Sequence, residues 1–331
     1  MPIEDLQFVG VIILKAVIAL VIGLVNVLIF LYLERKVIAD IQVRMGPMRV
    51  GFHGTLQPFA DALKLLLKED IRPKHADKWM FFIAPAIVFI PAYLLYLTIP
   101  ISENLVVVDL DLGLFYLFAM MTVVPVGILV AGWSSYNKYS LIGGLRAAAQ
   151  QISYEIPLLL SVLGVVMLAE SFSLVDIVKA QQGFIHLFGV PILPHWFIFL
   201  QPFGFLLFFI AALSDTQRTP FDIPEAESEL VQGYSSEYSS MKFALFFLGE
   251  YSDALIASAL AVIVFFGGWN GPILPGIIWF FLKTYAFVYF IIWMRATLPR
   301  IRIDQLMSFG WKVLLPLCLV NIMVTGFLAI G

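Results

Sequence analysis

The sequence predicts an all-α integral membrane protein, a single bundle of eight transmembrane helices with one short amphipathic helix at the interface. Three observations carry this prediction. The 331 residues are 61% hydrophobic and 13% charged, against roughly 45–50% apolar and ~25% charged in a soluble globular domain. The apolar residues fall in runs of about 17–25, long enough for a helix to cross a ~30 Å hydrocarbon core. All seven tryptophans (Trp79, Trp133, Trp196, Trp269, Trp279, Trp293, Trp311) fall at or near the ends of these runs, where an amphipathic ring prefers the headgroup layer.

Read from the N-terminus, the predicted spans are 8–33, 80–100, 114–133, 156–170, 196–213, 242–266, 276–298 and 311–330. The first run is too long for the core of a signal peptide and passes into Glu34-Arg35-Lys36 without a small-residue cleavage site, so it reads as a retained span. Residues 1–331 then form one membrane domain with cytoplasmic loops at 34–79, 134–155, 214–241 and 299–310. Short cytoplasmic loops retain Lys and Arg, and these four carry nine, two, one and two of them. The opposite loops hold Lys179 alone, beside Glu103, Asp109 and Asp111, so both termini are expected on the outer side. No repeat of 20–50 residues and no inverted pair of halves is visible, which argues against a secondary transporter. The single cysteine, Cys318, leaves no intrachain disulfide and no cysteine-ligated cluster. His186 and His195 lack a neighbouring ligand at metal-binding spacing, and no phosphate-binding glycine loop appears, so no metal or nucleotide site is expected.

The polar residues are concentrated in two loops. From Thr55 onward, Gln57, Asp61, Lys64 and Lys68 recur at offsets of four, three and four, opposite a stripe of Leu56, Phe59, Leu63, Leu66 and Leu67. This is a helix too short to span, suited to lying along the interface. The loop after the fifth span is acidic, with Asp215, Asp222, Glu225, Glu227, Glu229 and Glu237 around the one cation Arg218. Asp222 with Glu225 reads as a capping box with Pro224 in the first turn, which gives those two acids a structural use. Glu229 and Glu237 have no such explanation, and carboxylates crowded beside a membrane make protons shareable. Within the spans, ionisable residues are functional candidates by default: Glu155 opens the fourth, Glu250 and Asp253 share a face of the sixth, and Lys283 and Arg295 lie in the seventh. A purely structural alternative pairs Glu250 with Lys283. Lys15 is free to snorkel.

Several of these segments together resemble one family. Glu34-Arg35-Lys36 with Arg44-Met45-Gly46-Pro47, Leu56 to Ala62, Gly144-Leu145-Arg146 through Ser153-Tyr154-Glu155, the Arg218 to Tyr238 stretch, and Pro299-Arg300 with Asp304 to Met307 are similar, in order over nearly the whole chain, to the quinone-site membrane subunits of respiratory complex I, the NADH-quinone oxidoreductase. The resemblance implies a membrane subunit that helps form a quinone chamber with peripheral-arm partners and couples quinone reduction to proton translocation. It implies no cofactor bound by this chain, with quinone as substrate and FMN and iron-sulfur clusters in partner subunits. By the same resemblance Arg35, Arg44, Asp61 and Arg295 line or guard the quinone route. Glu155, Asp215, Glu225, Glu227 and Glu250, with Glu229 and Glu237, form an acidic path towards the membrane arm. Two positions depart from the family pattern: Asp215 stands where Glu is usual, followed by Gln217, and Ser235-Ser236 replaces an Asn-Val type. The expected partners are membrane-arm and peripheral-arm subunits, quinone and lipid, with no nucleic acid, in a bacterial cytoplasmic membrane or alternatively the mitochondrial inner membrane. Three alternatives stay open: an energy-converting hydrogenase subunit, a ferredoxin- or coenzyme F420-dependent quinone oxidoreductase, and a stand-alone ion transporter.

Overall fold

Long apolar segments fold as helices because a bilayer offers no partner for backbone N–H and C=O groups, and helices dominate the computed structural model, which describes residues 3–103, 105–187, 190–224 and 227–330. Helix α1 (Ile3–Ile41) is unbroken by proline; α2 (Gln57–Leu67) follows, with Pro58 in its first turn, and then α3 (Lys78–Leu95), where the Asp77 carboxylate accepts from the backbone N–H groups of Trp79 and Met80. The third span consists of α4 (Gly113–Met121) and α5 (Val124–Ser134), separated at a step that Pro125 enforces. Next come α6 (Lys138–Ala169) and α7 (Leu174–Ala180), then a hairpin of β1 (Phe184–Leu187) and β2 (Val190–Pro194), antiparallel from Phe184↔Pro194 to Leu187↔Val190. Helices α8 (Phe197–Leu200) and α9 (Pro202–Asp215) are separated at Gln201 by Pro202. The chain closes with α10 (Glu227–Leu230), α11 (Ser240–Phe265), α12 (Gly276–Thr297), α13 (Ile303–Phe309) and α14 (Leu315–Ile330), the last two joined by a π-helical turn at Gly310–Leu314.

Among the described residues, seven helices are long and apolar enough to span a membrane. The expected fifth span is the exception: α9 has 14 residues, about 21 Å of helix, shorter than the hydrocarbon core. The fourth begins at Lys138 rather than near 156, because the Asn137 side chain accepts from the Tyr139 N–H at 2.9 Å and starts the helix there. Most of the expected loop 134–155 is therefore helix. Gly143 makes this possible, since a Cβ there would come within 2.7 Å of the Gly233 Cα in the turn Gly233–Ser235 that α6 packs against.

Helix α11 is the hub. Inside the protein 78% of its apolar window is buried, against 22% for α1, and α3, α12 and α1 all pack on it. Its Ile256, Leu260, Val262 and Phe265 enter one core with Leu158 and Val162 of α6 and Phe208 of α9. On α1 the buried stripe is Val27, Phe30 and Leu31, while Ile13, Leu14, Val17 and Val21 face outward.

Candidate functional site

The stripe Val27, Phe30, Leu31 continues at helical spacing to Glu34, which puts a carboxylate on the buried face of α1. Three other segments converge on it. Arg218, from the loop after α9, is 2% exposed; its Nη1 lies 3.5 Å from Glu34 Oε1 and its Nη2 3.1 Å from Glu250 Oε1 on α11. Arg295 of α12 pairs with the same Glu34 Oε1, and the Tyr251 hydroxyl donates to Glu34 Oε2. The Arg218 guanidinium also stacks on Tyr251, 4.2 Å from the ring centroid, with Phe30 at 5.7 Å. Burial alone would lower the Arg218 pKa, but Glu250, Tyr251 and Glu34 outweigh it and hold the pKa above its ordinary value. The result is two cations interleaved with two carboxylates, with helices α1, α11 and α12 on three sides.

The loop carrying Arg218 is held against α6. Gln150 Nε2 donates to Ser214 O at 2.7 Å and to Phe221 O at 2.8 Å, so backbone carbonyls that no helix satisfies are paired there. Asp215, the last residue of α9, is buried beside a cavity of about 10 Å³ that is also lined by Gln151, Gln217, Tyr234, Glu250 and Asp253. Glu155, one turn beyond Gln151 on α6, lies within electrostatic reach of Asp215, and its Oε1 is buried without a hydrogen-bond partner among the described residues.

A larger cavity, of about 490 Å³, opens between α1, α2 and α11. Leu31, Leu65, Met241 and Phe247 form its apolar walls; Arg35 and Asp61 also line it, joined at 2.5 Å, with Gln57 Nε2 donating to Asp61 at 3.1 Å. Successive α1 residues thus face two ways: Glu34 into the charge cluster and Arg35 into the cavity.

The other predicted residues take different positions. Arg44 bonds Gln42 at 2.6 Å and does not line this cavity; Arg295 belongs to the charge cluster instead. Glu229 is exposed and paired to Arg146 at 2.5 Å, and Glu237 accepts from Asn137 Nδ2 at 2.6 Å. Glu225 and the side chain of Glu227 lie outside the described residues. The Glu225 half of the expected capping box lies outside the described residues; no described helix starts at Asp222, which pairs with Arg300 at 3.0 Å, and the next described helix starts at Glu227. Lys283 does not pair with Glu250. Its Nζ donates to the carbonyls of Phe266, Gly268 and Asn270 at 2.7, 3.1 and 2.7 Å and stacks on Trp196, capping the C-terminal end of α11. Glu34 and Arg218 join the site although neither was among the residues expected to form it; the sequence signal for Glu34 is an acid that continues the apolar stripe of α1.

Fold and site together define a multi-pass membrane protein organised around buried charge beside an apolar cavity. The profile of the NADH dehydrogenase family matches residues 14–326. The H subunit of the NADH-quinone oxidoreductase of Dehalococcoides mccartyi (strain CBDB1) is 52% identical over 92% of this chain and 83% of its own length. The H subunit of Brevibacillus brevis is 50% identical over 95% and 92%, and an H subunit of Geobacter metallireducens 46% over 96% and 94%. The chain belongs to this family, as a subunit of the NADH-quinone oxidoreductase type.

Proposed function

We propose that the chain forms the quinone-access wall of a proton-translocating NADH:quinone oxidoreductase and couples quinone reduction to proton movement through its buried carboxylates. The observation that carries this reading is the two-faced end of α1, where Arg35 lines the 490 Å³ cavity and the adjacent Glu34 anchors the charge cluster. An apolar cavity of that size suits a hydrophobic substrate with one polar end, and the Arg35–Asp61 pair offers a donor and an acceptor to that end. Reduction of a quinone takes two electrons and two protons. The electrons come from FMN and iron-sulfur groups held by peripheral-arm partners.

A charge change beside this cavity acts first on Arg35 and Asp61 and then, through the α1 backbone and the shared field, on Glu34, Arg218 and Glu250. Low local dielectric strengthens that response. Glu155 and Asp215, which have no cation partner among the described residues, would take part as proton carriers. In this reading the chain sits in a bacterial cytoplasmic membrane with both termini on the outer side, and its basic and acidic loops meet the partner subunits. Glu155→Gln and Glu250→Gln, each introduced into the assembled complex, are expected to lower quinone reduction and proton pumping. Unchanged values for both in a fully assembled complex would overturn the carboxylate-relay part of the reading.

A further inference from the structure

We propose that one ordered water, held by Gln151 of α6 and Gln217 of the loop after α9, fills the small cavity beside Asp215 and carries protons between Asp215 and the Glu250–Asp253 face of α11. This rests on the carboxylate relay above and names its crossing point. The cavity measures about 10 Å³, about the space one water needs. Three carboxyl residues line it, from α9 and α11, and two glutamines, each 6% exposed, complete its polar wall.

The glutamines point to what the cavity holds. Among the described residues, Gln151 Oε1 and Gln217 Nε2 are both buried without a hydrogen-bond partner, as is Asp253 Oδ1. Leaving a buried polar atom unpaired is costly, and three around one cavity call for a shared partner. Gln151 presents an acceptor and Gln217 a donor. Water both donates and accepts, whereas the Gln217 N–H dipole repels a metal cation. The backbone at Gln217 is held in the left-handed region at φ 52°, a conformation that persists in a non-glycine residue where the surroundings fix it. Here Gln217 follows Thr216, whose hydroxyl is itself bound to Ala212 O at 2.9 Å.

The proton step balances within the cavity. The donor carboxyl, on Asp253, loses its O–H proton to the water as the water passes one of its own protons to the Asp215 carboxylate; one O–H bond breaks and one forms at each end, and the water is regenerated. Gln151 and Gln217 are positioning residues, because they orient the water without exchanging a proton. Asp253 is a further proton carrier.

The test uses the assembled complex containing this chain. A cryo-EM map that resolves ordered waters is expected to contain one density within hydrogen-bonding distance of Gln151 and Gln217, and an empty cavity would overturn the proposal. Asp253→Asn and Gln151→Leu are expected to slow quinone reduction roughly tenfold or more, with ferricyanide reduction by the upstream subunits retained as the check on assembly. Gln151→Leu is also expected to raise the solvent deuterium isotope effect on quinone reduction, and Gln151→Glu, which keeps an acceptor, to bring it back towards the parental value; a packing role for Gln151 would leave that ratio unmoved. Parental turnover in assembled Asp253→Asn and Gln151→Leu, together with an impaired Glu250→Gln, would sink the water bridge and leave the relay standing. Parental turnover in all three would sink both.

Discussion

Replacing Arg218 by methionine removes one charge from a four-charge set and keeps most of the side-chain volume. The pairs at 3.1 Å to Glu250 and 3.5 Å to Glu34 have a gross Coulomb attraction of roughly 5 kcal/mol each at an effective dielectric of about 20, but desolvation of a group only 2% exposed offsets much of it. The net consequence is asymmetric. Glu34 keeps Arg295 and the Tyr251 hydroxyl, while Glu250 loses its one ion pair among the described residues. Breaking a buried pair from one side costs about 3–5 kcal/mol, so Arg218→Met is expected to destabilise by that amount. Such complexes unfold irreversibly, and the observable is the half-time of thermal inactivation. A loss of ~3 kcal/mol falling on the unfolding barrier shortens it roughly 100-fold. Adding Glu250→Gln removes the stranded charge and is expected to recover about 2 kcal/mol, which a double-mutant cycle measures as coupling. A half-time for Arg218→Met within about threefold of the parent, or strictly additive single effects, would refute the view that Arg218 and Glu250 hold each other.

Lys283→Met leaves the carbonyls of Phe266, Gly268 and Asn270 without their shared donor and is expected to cost about 2–3 kcal/mol; turnover per assembled complex should be kept, and a stable but uncoupled variant would give Lys283 a role in pumping. Burial pushes the Tyr238 hydroxyl up to about 12, against the weaker lowering effect of Ser134 and Ser135. Its neutral form therefore stabilises the fold fully below the unfolded pKa of about 10, and this is lost as the pH rises from about 10 to about 12. Tyr238→Phe should flatten the alkaline decline in thermal stability over that window, and an unchanged pH slope would contradict the assignment. Asp61→Asn breaks a half-exposed pair at 2.5 Å that is worth less than ~1 kcal/mol to stability. The expected effect lies instead in a KM for quinone raised several-fold with kcat nearly kept, and a quinone titration giving the parental KM would remove Asp61 from the access route.

The interfacial helix α2 was legible because its polar residues recur at offsets of four, three and four, a local pattern that needs no tertiary information. The early start of α6 was not. Residues 138–155 contain Ser140, Gly143, Gly144, Gln150 and Gln151, all buried, so no apolar run marks them as inside. Gly143, Gln150 and Gln151 meet the polar segments 214–221 and 233–235, where Gln150 satisfies the Ser214 and Phe221 carbonyls; Ser140 and Gly144 lie against Gly132 of α5, and only the folded chain makes those environments. The charge cluster is harder still, since Glu34 is 184, 217 and 261 residues from its partners Arg218, Tyr251 and Arg295; no local spacing encodes such a meeting.

What the structure adds is a division among acids that the sequence presents as one group. Glu34 pairs with Arg218 and Arg295 and Glu250 with Arg218, whereas Asp215, Asp253 and Glu155 lack an ion pair among the described residues and stand beside or one turn from the small cavity. A paired carboxylate resists a change in proton occupancy, because protonation gives up its attraction to the cation. An unpaired one has no such attraction to lose. On the proposed function, the paired set senses a charge arriving beside Arg35 and Asp61, and the unpaired set moves the proton. Arg218 joins the two: it binds Glu250, which lines the cavity, and follows Gln217 directly in the chain. A small displacement of the guanidinium towards Glu34 would change the cavity wall on both sides at once.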